Sequence, residues 1–306
     1  MSNIDCHRKR KEDTSLDRRE LTVSENLRRL LADSSGLDSR LRLQASELIE
    51  LYKGENDGDT AYEIIAQESE RAASLPVSFA SSWLCALATV LYDRMTEDAK
   101  RELFISLMSE GESDSATTSV SGKVAYTKNK FTLTAFDKFV SILPDAKTLY
   151  TDSFAIACEA VYDGLSEFCI LPIENTKDGS LFAFYSLIAK YELRIVATTV
   201  VADEDGNEST LALLSREWTV SELPKNLRSY RLDINVEGAD ISLVLALASA
   251  FGISPMRMDS LSSKDSFHIR FSPEKASSDE LGAFLLCLSA AFPSFSPLGL
   301  YKHVTQ

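Results

Sequence analysis

Residues 170–182 read ILPIENTKDGSLF, an apolar run from Ile170 that breaks into Glu174-Asn175-Thr176 and then Asp178-Gly179-Ser180 before returning to Leu181 and Phe182. Together with Glu167-Phe168-Cys169 the apolar part has the length of a buried strand, and Asn, Asp and Gly are turn formers. The pattern predicts a strand that carries Glu174, Asn175 and Thr176 to its end, with Gly179 and Ser180 opening the next helix. Unpaired backbone donors at a helix start, helped by the Thr176 and Ser180 hydroxyls, make a seat for an anionic group.

Outward from this stretch the chain alternates short apolar runs with helix-length segments. The runs are GKVAYT (122–127), AKTLYT (146–151), EFCILPI (167–173), LRIVATTVV (193–201) and LALLSRE (211–217). The last two flank Asp203-Glu-Asp-Gly-Asn207, a hairpin signal, so an α/β layer with mixed strand directions is expected. From residue 226 the order becomes strand, helix, strand, strand, helix, strand, a ferredoxin-like βαββαβ succession. Within Ser266–Ser272, Phe267, Ile269 and Phe271 share one face and His268 and Arg270 the other, which predicts an exposed or interface position for His268.

Before the α/β part the pattern is helical. Residues 38–54 form one expected helix, Thr60 to Glu63 has capping-box spacing, and Thr96-Glu97-Asp98 starts a further helix closed by Gly111. Trp83, Leu84, Leu87, Leu91 and Met95 recur at helical spacing and predict a bundle core. Residues 109–121, rich in Ser, Thr and Gly, read as a linker. The expected architecture is multidomain, α+β and α/β. It comprises a disordered tail (1–20), an N-terminal helical bundle (21–110), a linker (111–121), a single α/β lobe (122–225) and a ferredoxin-like domain (226–306).

Composition narrows the partners. With 306 residues, 44% of them hydrophobic, and a formal charge of −14, the chain folds a sizeable core and repels nucleic acid and anionic membranes. The basic run Arg8–Lys11 belongs to the polar tail. No long apolar segment or signal sequence is visible, so a cytoplasmic protein with no membrane partner is expected. The five cysteines are scattered and mostly in apolar surroundings, which predicts reduced thiols, and no metal site or cofactor is expected.

The segment VYDGLSEFCILPIENTKDGSL (161–181) resembles the prephenate dehydratase family, in which a Pro-Ile-Glu-Asn-Ser/Thr turn followed by Gly-Ser lines the cleft that binds prephenate. Gly122–Tyr126 is similar to that family's first strand, residues 153–164 to the helix before the motif, and residues 226–306 to the ACT domain that senses phenylalanine. The resemblance spans residues 122–304. It implies ligand contacts from Glu174, Asn175, Thr176, Gly179 and Ser180, and from Phe131 and Thr132 after the first strand. Ser209 and Thr176 are the implied catalytic hydroxyls, Ser209 standing in for the family's proton-donating Thr.

Departures set the functional expectation. Aligned on Asn207, Ser209-Thr210-Leu211 stands where the family has Thr-Arg-Phe, so the carboxylate-binding Arg is gone and only Lys128, Lys130 and Lys177 are placed to replace it. From Gly179 to Asn207 is 28 positions, with room for one helix and one strand where the family inserts a second α/β lobe. A cleft missing one wall stays wet, and wet hydrogen bonds catalyse poorly. In the ACT-like region Gly238–Ile241 and Asp259–Ser262 replace the phenylalanine-holding segments, with Asp240 opposing a ligand carboxylate. The resemblance thus implies a lapsed relative, a small-ligand-binding or assembly and regulatory module with a small carboxylate as ligand and homo-oligomerisation through the ACT-like domain. The alternative is an active prephenate dehydratase, making phenylpyruvate for phenylalanine biosynthesis from a rebuilt site.

Overall fold

The computed structural model describes residues 37–52, 58–108, 122–217, 222–238, 240–261 and 265–305. The expected tail and linker lie outside the described residues. By packing, the chain forms two compact units, each interrupted in sequence.

The first unit holds residues up to Leu103 together with Asp240–Gly252 and Asp279–Pro293. Helices α1 (Leu37–Ile49), α2 (Gly58–Ala72) and α3 (Val77–Arg94) and the start of α4 (Glu97–Met108) come from the N-terminal half. The expected core residues Trp83, Leu84, Leu87, Leu91 and Met95 are all buried. The Trp83 indole donates to Glu68 Oε2 at 3.1 Å, and Arg71 holds the other oxygen of this buried carboxylate. Thr96 caps α4 by accepting from the Ala99 amide at 3.2 Å, as its spacing predicts. Thr60 instead lies inside the first turn of α2, so its capping-box spacing does not mark the helix start. The C-terminal helices that belong to this unit run Ile241–Ala250 and Ser278–Ala291. Gly282 is needed in the second of them, because a Cβ there would lie 2.3 Å from the Tyr92 ring of α3.

The second unit is built on one mixed sheet. In chain order its elements are β1 (Lys123–Thr127), α5 (Lys130–Phe139), β2 (Lys147–Thr151), α6 (Phe154–Tyr162), β3 (Phe168–Asn175), β4 (Gly179–Ser180), α7 (Phe182–Lys190), β5 (Arg194–Ala202) and β6 (Glu208–Ser215). There follow β7 (Tyr230–Glu237), β8 (Ser254–Ser260), β9 (Ser266–Ser272) and β10 (Ser296–Val304). The spatial order is β2-β1-β3-β6-β5-β10-β7-β9-β8, with β4 paired to β3.

Strands β1, β2 and β3 are parallel, while β5 and β6 form the predicted antiparallel hairpin. Along β3 the side chains alternate between two cores, Phe168 and Ile170 joining Phe139 of α5, and Cys169, Leu171 and Ile173 joining α6 and α7. Burial on both faces is why the stretch reads as a continuous apolar run. The last four strands keep the ferredoxin-like order, fourth-first-third-second, and are antiparallel to one another. Parallel pairing of β10 with β5 makes them continuous with the first five.

Candidate functional site

The polar stretch after β3 closes largely on itself at its tip. Asn175 Oδ1 accepts from the amides of Lys177 (2.9 Å) and Asp178 (2.6 Å), and its Nδ2 donates to Asp178 Oδ2 at 2.9 Å. Thr176 is tied to the β5–β6 hairpin, its amide donating to the Glu208 carbonyl and its hydroxyl accepting from the Glu208 amide. Gly179 adopts φ +72°, which a side chain disfavours, and lets the chain double back so that Gly179-Ser180 pairs with Glu174-Asn175. This corrects the sequence reading. Gly179 and Ser180 form a strand, the helix starts at Phe182, and no side chain caps it at Leu181. The strand pairing claims the backbone groups that a helix start would have left open.

The base of the same turn meets charges from the far half of the sheet. Arg257 of β8 donates from Nη1 to Glu174 Oε1 at 2.5 Å and from Nε to Asp259 Oδ2 at 2.8 Å. Its Nη2 would stand 2.7 Å from a Cβ on Gly179, so only glycine admits the guanidinium there. Ser180 donates its hydroxyl to Asp259 Oδ2 at 2.6 Å. Arg270 of β9 reaches the other Glu174 oxygen at 2.8 Å and also donates to Asp233 of β7, its Nε lying 3.0 Å from Oδ1. Asp233 accepts further from the Tyr301 hydroxyl (2.8 Å) and from His268 Nε2 (3.1 Å). His268 Nδ1 lies 3.9 Å from Asp259 Oδ2, near enough for charge attraction and too far for a hydrogen bond.

His268 is therefore buried, its side chain 2% exposed, so of the two positions expected from alternation, exposed or at an interface, the exposed one does not hold. That face is covered by Tyr185 of α7, whose ring lies 4.6 Å from the imidazole and whose hydroxyl accepts from Arg270 Nη2. Burial alone would raise the Asp233 carboxyl, but the Arg270 guanidinium and His268 outweigh it and hold it well below the usual carboxylate range. The His268 imidazole, then Arg257 and the Ser180 hydroxyl, hold Asp259 low against burial. For His268 burial lowers the value, yet Asp233 and Asp259 prevail and it ends above the ordinary 6.5. Burial pushes the Tyr185 and Tyr301 phenols up, keeping them neutral donors and acceptors.

The other predicted site residues are spread over the strand ends. Ser209 pairs in register with Asn175, which brings it beside the motif. Thr132 is buried and forms a capping box with Asn129 at the start of α5, also donating to the Thr127 carbonyl at 2.6 Å. Phe131 packs on the core below. Lys130 pairs with Glu204 at 2.6 Å, Lys128 lies 5.2 Å from the centre of the Tyr150 ring, and Lys177 is exposed at the turn tip. Asp240 caps the helix that begins at Ile241, accepting from the Ser242 amide.

The residues that sequence reasoning missed are Asp233, Arg257, Asp259 and Arg270. A signal was present: Asp233 interrupts an apolar strand, and the alternating pairs Arg257-x-Asp259 and His268-x-Arg270 fall in register, Asp259 opposite His268 and Arg270 between Asp233 and Arg257. Nothing local tied that signal to Glu174.

No protein-family model and no curated protein matches this sequence. Among solved structures, prephenate dehydratase from Streptococcus mutans is similar at 17% identity and a TM-score of 0.50, over 60% of this chain and 100% of that one. The chain shares its fold with prephenate dehydratases. Two further similar structures are the prephenate dehydratase from Arthrobacter aurescens in complex with L-Phe (16% identity, TM-score 0.46, 59% of this chain and 90% of that one) and GqqA, titled a novel type of quorum quenching acylase (20%, 0.45, 59% and 94%). The fold assignment rests on the first. Among the described residues no helix is long and apolar enough to cross a membrane.

Proposed function

We propose that this chain is a catalytically lapsed relative of prephenate dehydratases that acts as an assembly or regulatory module. The observation that carries the reading is the seating of Arg257 against Gly179, paired with Glu174 while Ser180 donates to Asp259. In the resemblance these motif groups face a substrate dianion; here they are engaged by the chain's own side chains. Thr132 and Lys130, also expected at a ligand, have structural partners of their own, and Asp240, expected to oppose a ligand carboxylate, caps a helix. A dehydratase also needs cations converging on two carboxylates and an acid aimed at the leaving hydroxyl. Lys128 and Lys130 instead face Tyr150 and Glu204.

Assembly through the ACT-like strands completes the proposal. Strand β8 stands at one end of the described sheet and exposes Met256 and Met258, a surface suited to a second copy of the chain. The decisive assay is phenylpyruvate production from prephenate by the purified full chain, with a Ser209→Ala, Thr176→Ala double variant as control. No turnover from folded protein is the expected result. Turnover that the double variant abolishes would overturn the reading and establish a rebuilt active site.

A further inference from the structure

Glu174, Arg257, Asp259, His268, Asp233 and Arg270 follow one another around a closed circuit, each carboxylate lying between two basic groups. One member changes charge near neutral pH. Three carboxylates against two guanidinium groups leave one negative charge, which an imidazolium at His268 cancels. Buried charges persist where they are paired and hydrogen-bonded, so the neutral circuit is the favoured state.

We propose that this circuit is a pH-sensitive clasp: with His268 as imidazolium it holds the β3–β4 turn shut against the β8–β9 hairpin, and loss of that proton loosens Arg257 from Glu174 and Gly179. Among the groups that face His268 the two carboxylates set the sign. Asp233 of β7 meets one ring nitrogen and Asp259 of β8 the other. Tyr185 of α7 contributes a ring face, and its phenol is kept neutral by burial. Arg270 of β9 disfavours the imidazolium, and Arg270 is itself engaged by Asp233 and Glu174; Arg257 of β8 shares Asp259 with the ring. Tyr301 of β10 donates to Asp233 from the far side, and Ser180 of β4 donates to Asp259.

The direction of the response follows from linkage. A histidine whose value in the folded protein is raised contributes its stabilisation in full below the ordinary 6.5, and that contribution is lost as pH rises through the raised value. The clasp is tight in mild acid and loosens on the alkaline side. Strand β8 stands at one end of the described order with a neighbour on one side only, so it can shift without breaking a second strand pairing.

Amide hydrogen exchange, corrected for intrinsic base catalysis, tests the clasp at Leu181, whose N–H donates to the Ile173 carbonyl across the turn. The Asp203–Asn207 hairpin, which lies outside the circuit, serves as internal reference. Protection at Leu181 is expected to fall severalfold from mildly acidic to mildly alkaline pH in the wild-type chain, and to stay level with the reference in His268→Gln. Equal behaviour of Leu181 and the reference in the wild type, or an equal fall in His268→Gln, overturns the proposal. Should His268→Gln not fold, NMR of the wild-type imidazole decides. Titration above the ordinary histidine value with the Arg257 Nε–H signal moving in step supports the clasp, and titration at or below that value, or a silent Arg257, overturns it.

Discussion

Two turns at the same end of the sheet use the same residue types and end differently. The β5–β6 turn is closed by Asp203, whose Oδ1 accepts from the amides of Asp205 (2.9 Å) and Asn207 (2.8 Å), with Gly206 at φ +79°. The hydrogen bonds that Asp203 makes lie within four residues, a distant contact being the exposed pair of Glu204 with Lys130, and the turn reads correctly from sequence. The β3–β4 turn starts alike, with Asn175 closing the tip and Gly179 at φ +72°, but its base is held by Arg257, Asp259 and Arg270, 79 to 96 positions away. A turn motif states how the backbone reverses. What its outward groups hold depends on which distant strand arrives beside it.

The largest test of that contrast is Asp233→Ala, which strips a fully buried carboxylate from Arg270, His268 and Tyr301 at once. Loss of one partner from a buried ionic set costs about 3–5 kcal/mol, so denaturant unfolding should reveal a deficit of that order. In the wild-type chain the stabilisation from this depressed carboxyl is complete above the ordinary 3.8 and declines only as pH falls below it toward the folded value. The variant's deficit should shrink over that same acid range.

A smaller effect is expected from Gly179→Ala. The new Cβ meets the Arg257 guanidinium, itself tethered to Glu174 and Asp259, and the backbone must keep a positive φ, so a loss of about 1–2 kcal/mol is expected. Gly206→Ala serves as the comparison, because it shares the positive φ and has nothing within 4 Å of the added atom. A larger loss at 179 than at 206 in thermal unfolding isolates the contribution of the long-range contact; equal losses would break the distinction between the turns. The smallest effect belongs to Asp203→Ala, whose hydrogen bonds in this exposed turn are to Asp205 and Asn207. Its melting temperature should stay close to wild type while hydrogen exchange speeds up at residues 203–207 alone.

Much of the fold follows from pattern because its causes are local. The apolar run of β3, the Asp-Gly hairpin, the Thr96 cap and the βαββαβ order each rest on residues a few positions apart, and each is found in the structure. The candidate site divides along the same line. The tip residues Asn175 and Thr176 stand at a strand end as expected, and register alone brings Ser209 opposite Asn175. For His268 the exposed alternative failed, because alternation tells which residues share a face and not what covers it. Tyr185, from a helix more than 80 residues earlier, covers it.

The sequence by itself determined the strands other than β4, the turn, the charges and the family resemblance, since periodicity and turn chemistry are properties of neighbours. The tertiary structure alone decided that Glu174 and Ser180 face this chain's own Arg257 and Asp259, that six ionisable side chains close into one circuit, and that a histidine sits inside it. The physical reason is that burial and charge pairing are set by parallel pairing of β5 with β10, which joins segments a hundred residues apart and leaves no trace in either one.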